Sequence, residues 1–161
     1  MVDTMKKLKL CLDTSILGAI YDTDNQERLN VTYKLLKLIK NKKYDGYITE
    51  IALIEVDRAP NDIKLGLSNK IKEVKFSILE ETENSLELAE EFIKEGIFSQ
   101  ESRDDGRHIA IAVINDMDVI VSWNFKHMVN IEKKKSVNAV NLKCGYKQID
   151  IVSPYEVVDY E

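Results

Sequence analysis

Short apolar runs alternate with longer segments of mixed polarity along the chain. Runs of strand length occupy positions 8–12, 44–48, 75–79, 118–122 and 149–152. Between them, apolar residues at helical spacing predict helices over 28–40, 49–57, 60–74, 85–95 and 130–143, with a further helix beginning at Ser102. Strands that alternate with helices are typical of an α/β protein with a mostly parallel central sheet and helices on both faces.

Length and composition favour one globular domain. The chain has 161 residues, of which 44% are hydrophobic and 32% charged. We find no repeat, low-complexity tract or Pro/Ser-rich linker, so we expect residues 1–161 to form a single domain. No apolar run is long enough for a secretory signal or a membrane span. Cys11 and Cys144 have no metal-binding spacing, and we interpret them as reduced thiols of a cytoplasmic protein.

The net charge argues at first against a nucleic-acid partner. The chain has 28 acidic and 23 basic residues, which gives a formal net charge of −5. The acidity is concentrated, however, because residues 80–101 contain eight acids and one lysine. The rest of the chain is slightly basic, so net charge alone does not exclude a nucleic-acid substrate.

The chemically informative residues lie at the ends of predicted strands or in the starts of helices, and open parallel sheets bind their ligands at the carboxyl ends of the strands. Four groups stand out: 13–15 (Asp-Thr-Ser), Glu55, 104–105 (Asp-Asp) and 123–124 (Trp-Asn). Clustered carboxylates repel one another unless a cation neutralises them, and Mg²⁺ or Mn²⁺ prefers oxygen ligands. The two histidines, His108 and His127, follow the acids in sequence, and we expect them to lie outside this cluster.

Each candidate also has a purely structural interpretation. Asp13 suits a turn after the first strand, and Glu55 suits a solvent-facing position on its helix. Asp105 stands at capping-box spacing from Ser102, and the same first helical turn accommodates Asp104. Asn124 is a typical turn residue. The residues alone leave these alternatives open.

Four motifs give the chain a resemblance to a known family. They are LDTSIL at 12–17, TEIALIE at 49–55, DDGRHIA at 104–110 and VSWNFKH at 121–127. In this order they resemble the motifs of the PIN-domain family, which includes VapC-like toxin ribonucleases and related stand-alone proteins. The resemblance covers most of the chain, and the third and fourth motifs together are its most specific part.

The resemblance implies a three-layer α/β/α fold and a Mg²⁺- or Mn²⁺-dependent endoribonuclease. It makes Asp13, Glu55 and Asp105 metal ligands, of which Asp13 and Asp105 hold the ion while Glu55 ligates it or orients the attacking water. Asn124 occupies a catalytic position that is often aspartate in the family, so the site has one negative charge fewer. The remaining site-lining residues implied by the motifs are Ser15, Ser122 and Asp104.

The resemblance also implies partners. These are an RNA substrate, an antitoxin protein that fills the active-site groove, and a second copy of the chain in a homodimer. Arg107 and Lys126 stand beside the motifs and are predicted to contact phosphates, while Trp123 and Phe125 are candidates to stack on a base.

Two other functions remain open. The chain could be a catalytically weak PIN-like module that binds RNA or a protein, and Asn124 is the residue that favours this alternative. A flavodoxin-like nucleotide binder is disfavoured because no glycine-rich phosphate loop follows the first strand.

Overall fold

Five parallel strands form the centre of the protein. The computed structural model describes residues 7–158. Within this range the strands are β1 Lys9–Leu12, β2 Asp45–Thr49, β3 Ser77–Leu79, β4 Val119–Val121 and β5 Asp150–Val152. They lie in the order β3-β2-β1-β4-β5, and each neighbouring pair is parallel. The predicted α/β architecture is confirmed, and β1 is the central strand.

Helices connect the strands and cover the sheet. The described α-helices are α1 Thr14–Gly18, α2 Gln26–Lys40, α3 Glu50–Asp57, α4 Asn61–Val74, α5 Glu83–Lys94, α6 Arg103–Ile114 and α7 Ile131–Lys143. Short 3₁₀ helices follow α1 at Ala19–Tyr21 and β5 at Pro154–Glu156. Across residues 7–158, no helix has the length and apolar character required to cross a bilayer.

Side chains that alternate along the strands contribute to two separate hydrophobic cores, one on each face of the sheet. Leu10 and Leu12 pack with residues of α1 and α2, whereas Cys11 between them packs with residues of α5, α6 and α7 on the other face. These two cores make the protein a three-layer α/β/α fold. Burial, together with the neighbouring charge of Asp13, raises the pKa of the Cys11 thiol to about 12. Cys11 and Cys144 are both free thiols, as expected.

The structure differs from the predicted elements at several positions. Helix α1 was not predicted, because five residues are too few to show helical periodicity. The third strand begins at Ser77 instead of position 75, since Lys75 ends α4 in a left-handed conformation with φ of 65°. Helix α5 begins at Glu83, two residues before the predicted start, because Thr82 and Ser85 form a reciprocal capping box there.

Candidate functional site

The carboxyl ends of the central strands bring distant polar residues together. Asp13 follows β1 directly, is 5% exposed, and donates its backbone N–H to the Val121 carbonyl at 2.9 Å. Ser122 follows β4 and donates its backbone N–H to Val152 at 3.0 Å. Thr49 ends β2. The parallel register therefore places residues more than 100 positions apart at one edge of the sheet.

Two serine hydroxyls hold one oxygen of the Asp13 carboxylate. Ser15 and Ser122 each donate a hydrogen bond to Asp13 Oδ2 at 2.8 Å, and their own oxygens are 3.2 Å apart. Each hydroxyl in turn accepts a backbone N–H at 2.9 Å, from Trp123 and Asn124 respectively. The carboxylate is therefore held in a fixed orientation, and its other oxygen, Oδ1, lies 4.0 Å from His108 Nε2.

The pKa of Asp105 is raised by its surroundings. Burial is the main reason that its pKa is raised to about 6, and the charge of Asp13 adds to the effect. The capping box expected with Ser102 is not formed, because the Ser102 hydroxyl bonds to Ser99 and makes no cap hydrogen bond. No hydrogen bond within residues 7–158 involves the Asp105 carboxylate. A partly buried carboxylate without a donor is unusual and calls for a counter-charge.

His108 connects the acids, contrary to our expectation that it would lie outside them. It is 3% exposed, and its Nε2 lies 3.3 Å from Glu55 Oε1 and 4.0 Å from Asp13 Oδ1. Its Nδ1 lies 2.8 Å from Thr49 Oγ1. Burial lowers the pKa of His108, but the hydrogen bond to Glu55 and the surrounding carboxylates outweigh this and raise it. The i, i+3 spacing of Asp105 and His108 was the signal that both share one helix face.

Glu55 is more accessible to solvent than Asp13. Its side chain is 36% exposed, and its Oε1 lies 3.3 Å from His108 Nε2. It extends from α3, whose first turn is capped by the Thr49 hydroxyl, which accepts the Ala52 N–H at 3.2 Å. Solvent and a substrate can therefore reach Glu55 more readily than Asp13.

Three other predicted site residues, Asp104, Arg107 and Lys126, are exposed or paired with one another or with other acids. Asp104 is 58% exposed and pairs with Arg107 at 2.8 Å. Arg107 also binds both carboxylate oxygens of Glu81 at 2.7 Å, which raises its pKa above the ordinary value. The predicted phosphate contact of Arg107 would require these ion pairs to open, and it stays a prediction. Lys126 is exposed.

Of the residues in the fourth motif, Trp123 is buried, Phe125 is exposed and Asn124 forms a turn contact. Trp123 is 4% exposed and donates its indole N–H to Thr32 at 2.9 Å, so the expectation that it stacks on a base is wrong. Phe125 is 45% exposed. The Asn124 side chain accepts the His127 backbone N–H at 2.9 Å, which gives this residue a turn-forming contact. Its catalytic role stays a prediction.

The donor chemistry suits a hard divalent cation. Asp13, Glu55 and Asp105 offer carboxylate oxygens, which Mg²⁺ and Mn²⁺ prefer. Among residues 7–158, however, no three His, Cys, Asp or Glu side chains are close enough to hold a metal ion together. Mg²⁺ commonly uses one or two carboxylates and keeps several waters. The residues therefore fit a site with one or two direct protein ligands, and not a closed three-carboxylate set.

Comparison with known proteins supports the fold. No protein-family model matches the chain, and no curated protein matches its sequence. The structure is similar to a chain in the crystal structure of VapBC2 from Rickettsia felis bound to a DNA fragment from their promoter. The TM-score of the two chains is 0.56 and their sequence identity is 16%. The match covers 91% of this chain and 98% of that chain. The chain therefore has a VapC-like, PIN-like three-layer fold.

Proposed function

We propose that this protein is a Mg²⁺- or Mn²⁺-dependent endoribonuclease. The observation that carries the proposal is that His108 Nε2 lies 3.3 Å from Glu55 and 4.0 Å from Asp13, one helical turn from Asp105, whose pKa burial and the charge of Asp13 raise to about 6. The VapC-like fold supports the same function. Perturbed acids at the carboxyl edge of a parallel sheet are characteristic of catalytic sites.

Each residue has a distinct role in this proposal. Asp13 and Asp105 would hold the divalent cation, which when bound supplies Lewis-acid stabilisation of the phosphate and a more acidic water. Ser15 and Ser122 fix the Asp13 carboxylate through one oxygen and leave the other oxygen available. Glu55, whose side chain is more exposed than that of Asp13, would orient the attacking water and accept its proton.

The biological setting is proposed on the same basis. One structural neighbour comes from the VapBC2 crystal structure, and the motifs resemble those of VapC-like toxins; on this basis we propose that this protein acts as a toxin in the cytoplasm, with an antitoxin partner and a homodimeric state. RNA is the proposed substrate, because the family that the motifs resemble cleaves RNA. These assignments depend on the fold and on the motif resemblance, and the enzymatic proposal does not require them.

An RNA cleavage assay with matched variants tests the enzymatic proposal. Wild type, Asp105→Asn and Asp104→Asn would be incubated with 5′-labelled RNA in EDTA, Mg²⁺ or Mn²⁺. We expect cleavage by wild type only with a metal, and a loss of about 100-fold or more in Asp105→Asn, because even groups behind the metal ligands affect function by 10–100-fold. Asp104→Asn removes the adjacent exposed carboxylate and should retain activity.

Metal binding provides a readout that does not depend on turnover. Mn²⁺ should raise the melting temperature of wild type and of Asp104→Asn, and should have a much smaller effect on Asp105→Asn. Wild-type rates of metal-dependent cleavage in Asp105→Asn would overturn the assignment of this residue.

A second function is favoured by the ligand geometry. Asn124 contributes no carboxylate, and the acids within residues 7–158 do not form a three-ligand metal group. These observations fit a catalytically weak module that binds RNA or a protein partner. RNA binding by wild type without cleavage in either metal would support this second function over the first.

A further inference from the structure

A pocket of about 320 Å³ opens beside the carboxylate cluster. Its lining includes Ser15, Gly18, Arg28 and Asn124. Ser15 belongs to both regions, because its hydroxyl also donates to Asp13 Oδ2 at 2.8 Å. The position of Gly18 has open space around it, since a Cβ there would have no neighbour within 4 Å. A group bound in this pocket would therefore lie next to the proposed cleavage site.

Arg28 contributes a cation to this pocket, which Asp22 also lines. Its guanidinium carbon lies 5.1 Å from the ring centroid of Trp123 and 5.7 Å from that of Phe125. Its side chain makes no hydrogen bond or ion pair with any residue in the described range 7–158. Arg107, in contrast, uses its guanidinium for three hydrogen bonds to carboxylates. The hydrogen-bonding edge of Arg28 is therefore available to a ligand.

The aromatic residues beneath Arg28 form a rigid support. Trp123 is buried, donates to Thr32 at 2.9 Å, and packs edge-to-face with Tyr155 at 5.3 Å. Phe125 packs edge-to-face with Trp123 at 6.3 Å but remains 45% exposed. This support holds a planar cation above one buried and one exposed ring, and so limits the entropy that Arg28 would lose when it binds a ligand.

We propose that Arg28 and Phe125 form a stacking subsite for a base of single-stranded RNA, adjacent to the phosphate that is cleaved. Proteins bind unpaired bases by stacking them on aromatic rings and on arginine guanidinium planes. A lysine would provide the same charge for a phosphate, but only arginine provides a planar surface that stacks. This proposal rests on the proposed ribonuclease function for its substrate, and it identifies residues that select unpaired RNA.

The test separates base stacking from charge attraction. Binding would be measured by fluorescence anisotropy in EDTA, where hydrolysis does not interfere, with two fluorescein-labelled probes. One probe is decaadenylate, and the other is an abasic ribose-phosphate decamer with the same number of phosphates. The variants are Arg28→Lys, which keeps the charge, and Phe125→Leu, which removes an exposed ring. Lys40→Gln is the charge control on the same helix, about 18 Å from Arg28 along its axis.

We expect wild type to bind decaadenylate about five- to 100-fold more tightly than the abasic probe, the range expected for one stacked base. Arg28→Lys and Phe125→Leu should each reduce this preference and leave binding of the abasic probe nearly unchanged. Lys40→Gln should weaken both probes equally and slightly.

Several results would overturn the subsite. These are absence of decaadenylate binding by wild type, equal affinity of wild type for the two probes, or an equal loss for both probes in Arg28→Lys. Cleavage data keep the two proposals distinguishable. If wild type shows the base preference but cuts no RNA with either metal, the subsite stands and the ribonuclease proposal fails. If wild type cuts RNA and Arg28→Lys binds both probes as wild type does, the ribonuclease proposal stands and the subsite fails.

Discussion

Replacing Asp105 by asparagine should stabilise the metal-free protein above pH 6. Burial and the charge of Asp13 raise the pKa of Asp105 from 3.8 to about 6. Between these two values the folded protein binds more protons than the unfolded chain, so the free energy of unfolding falls as pH rises. Above pH 6 the full cost of ionising this carboxylate in the fold is present. Asparagine removes that cost and nearly preserves the shape of the side chain.

The size of the effect follows from the shift. A change from 3.8 to about 6 corresponds to about 3 kcal/mol if the group is fully shielded from water. Asp105 is only partly buried, and solvent screening reduces the expected gain to about 1–2 kcal/mol. In a domain of this size, each kcal/mol changes the melting temperature by about 2–4 °C. The variant should therefore melt about 2–8 °C higher than wild type at pH 7.5.

Thermal melts followed by circular dichroism in EDTA would measure this difference. At pH 4.5 the difference in melting temperature between Asp105→Asn and wild type should fall to less than half of its value at pH 7.5. The carboxyl of Asp105 in the folded wild type is then mostly protonated, so the cost of ionising it is smaller. Asp104→Asn is the matched control, since this carboxylate is 58% exposed and paired with Arg107. It should melt at or slightly below the wild-type temperature at pH 7.5. An equal gap at both pH values, or a lower melting temperature for Asp105→Asn at pH 7.5, would refute the reasoning.

Two further predictions concern stability. His108→Gln should lower the free energy of unfolding by about 1–3 kcal/mol, since it disrupts buried hydrogen bonds. Because the pKa of His108 is raised in the fold, its stabilising charge is fully present below about pH 6.5 and is lost as pH rises through the folded value. Urea unfolding should therefore show a larger loss at pH 6 than at pH 9, and a pH-independent loss would contradict this. Thr32→Val should cost about 1–3 kcal/mol in urea unfolding, because the buried Trp123 N–H loses its acceptor. Thr23→Val, at an exposed position, should cost far less, and equal losses would refute the prediction.

Strands β1 and β4 could be predicted because their residues are mostly apolar and are buried on both faces. Val119–Val121 is buried at all three positions, which matches an apolar run after an acidic break. The start of β3 could not be predicted, since Phe76 continues the apolar pattern although Lys75 still belongs to the left-handed end of α4. Helix α1 depends on the burial of Ile16 and Leu17 between neighbouring elements, and that packing leaves little local trace.

The sequence indicated which polar residues lie at strand ends and helix starts, but not which residues they contact; their functional roles stay predictions. Asp13 and Ser122 lie at the ends of adjacent strands, so their proximity follows from a parallel sheet. The contact of His108 with Thr49 spans 59 residues and depends on how α6 packs against β2. Arg107 looked available for phosphate because its partner Glu81 lies 26 residues away, in the segment before α5.

The strand order has a consequence for how the protein is made. The Asp13 carboxylate is held by a hydroxyl 109 residues later in the chain, and each side of β1 is occupied by a strand that is synthesised after it. No pair of neighbouring strands is joined by a hairpin, so the site depends on contacts that form only between distant segments. A growing chain that has not yet reached β4 lacks Ser122 and half of the sheet around Asp13. Under the proposed function, RNA cleavage therefore begins only after Ser122 has left the ribosome, and translation that stops before β4 yields inactive fragments.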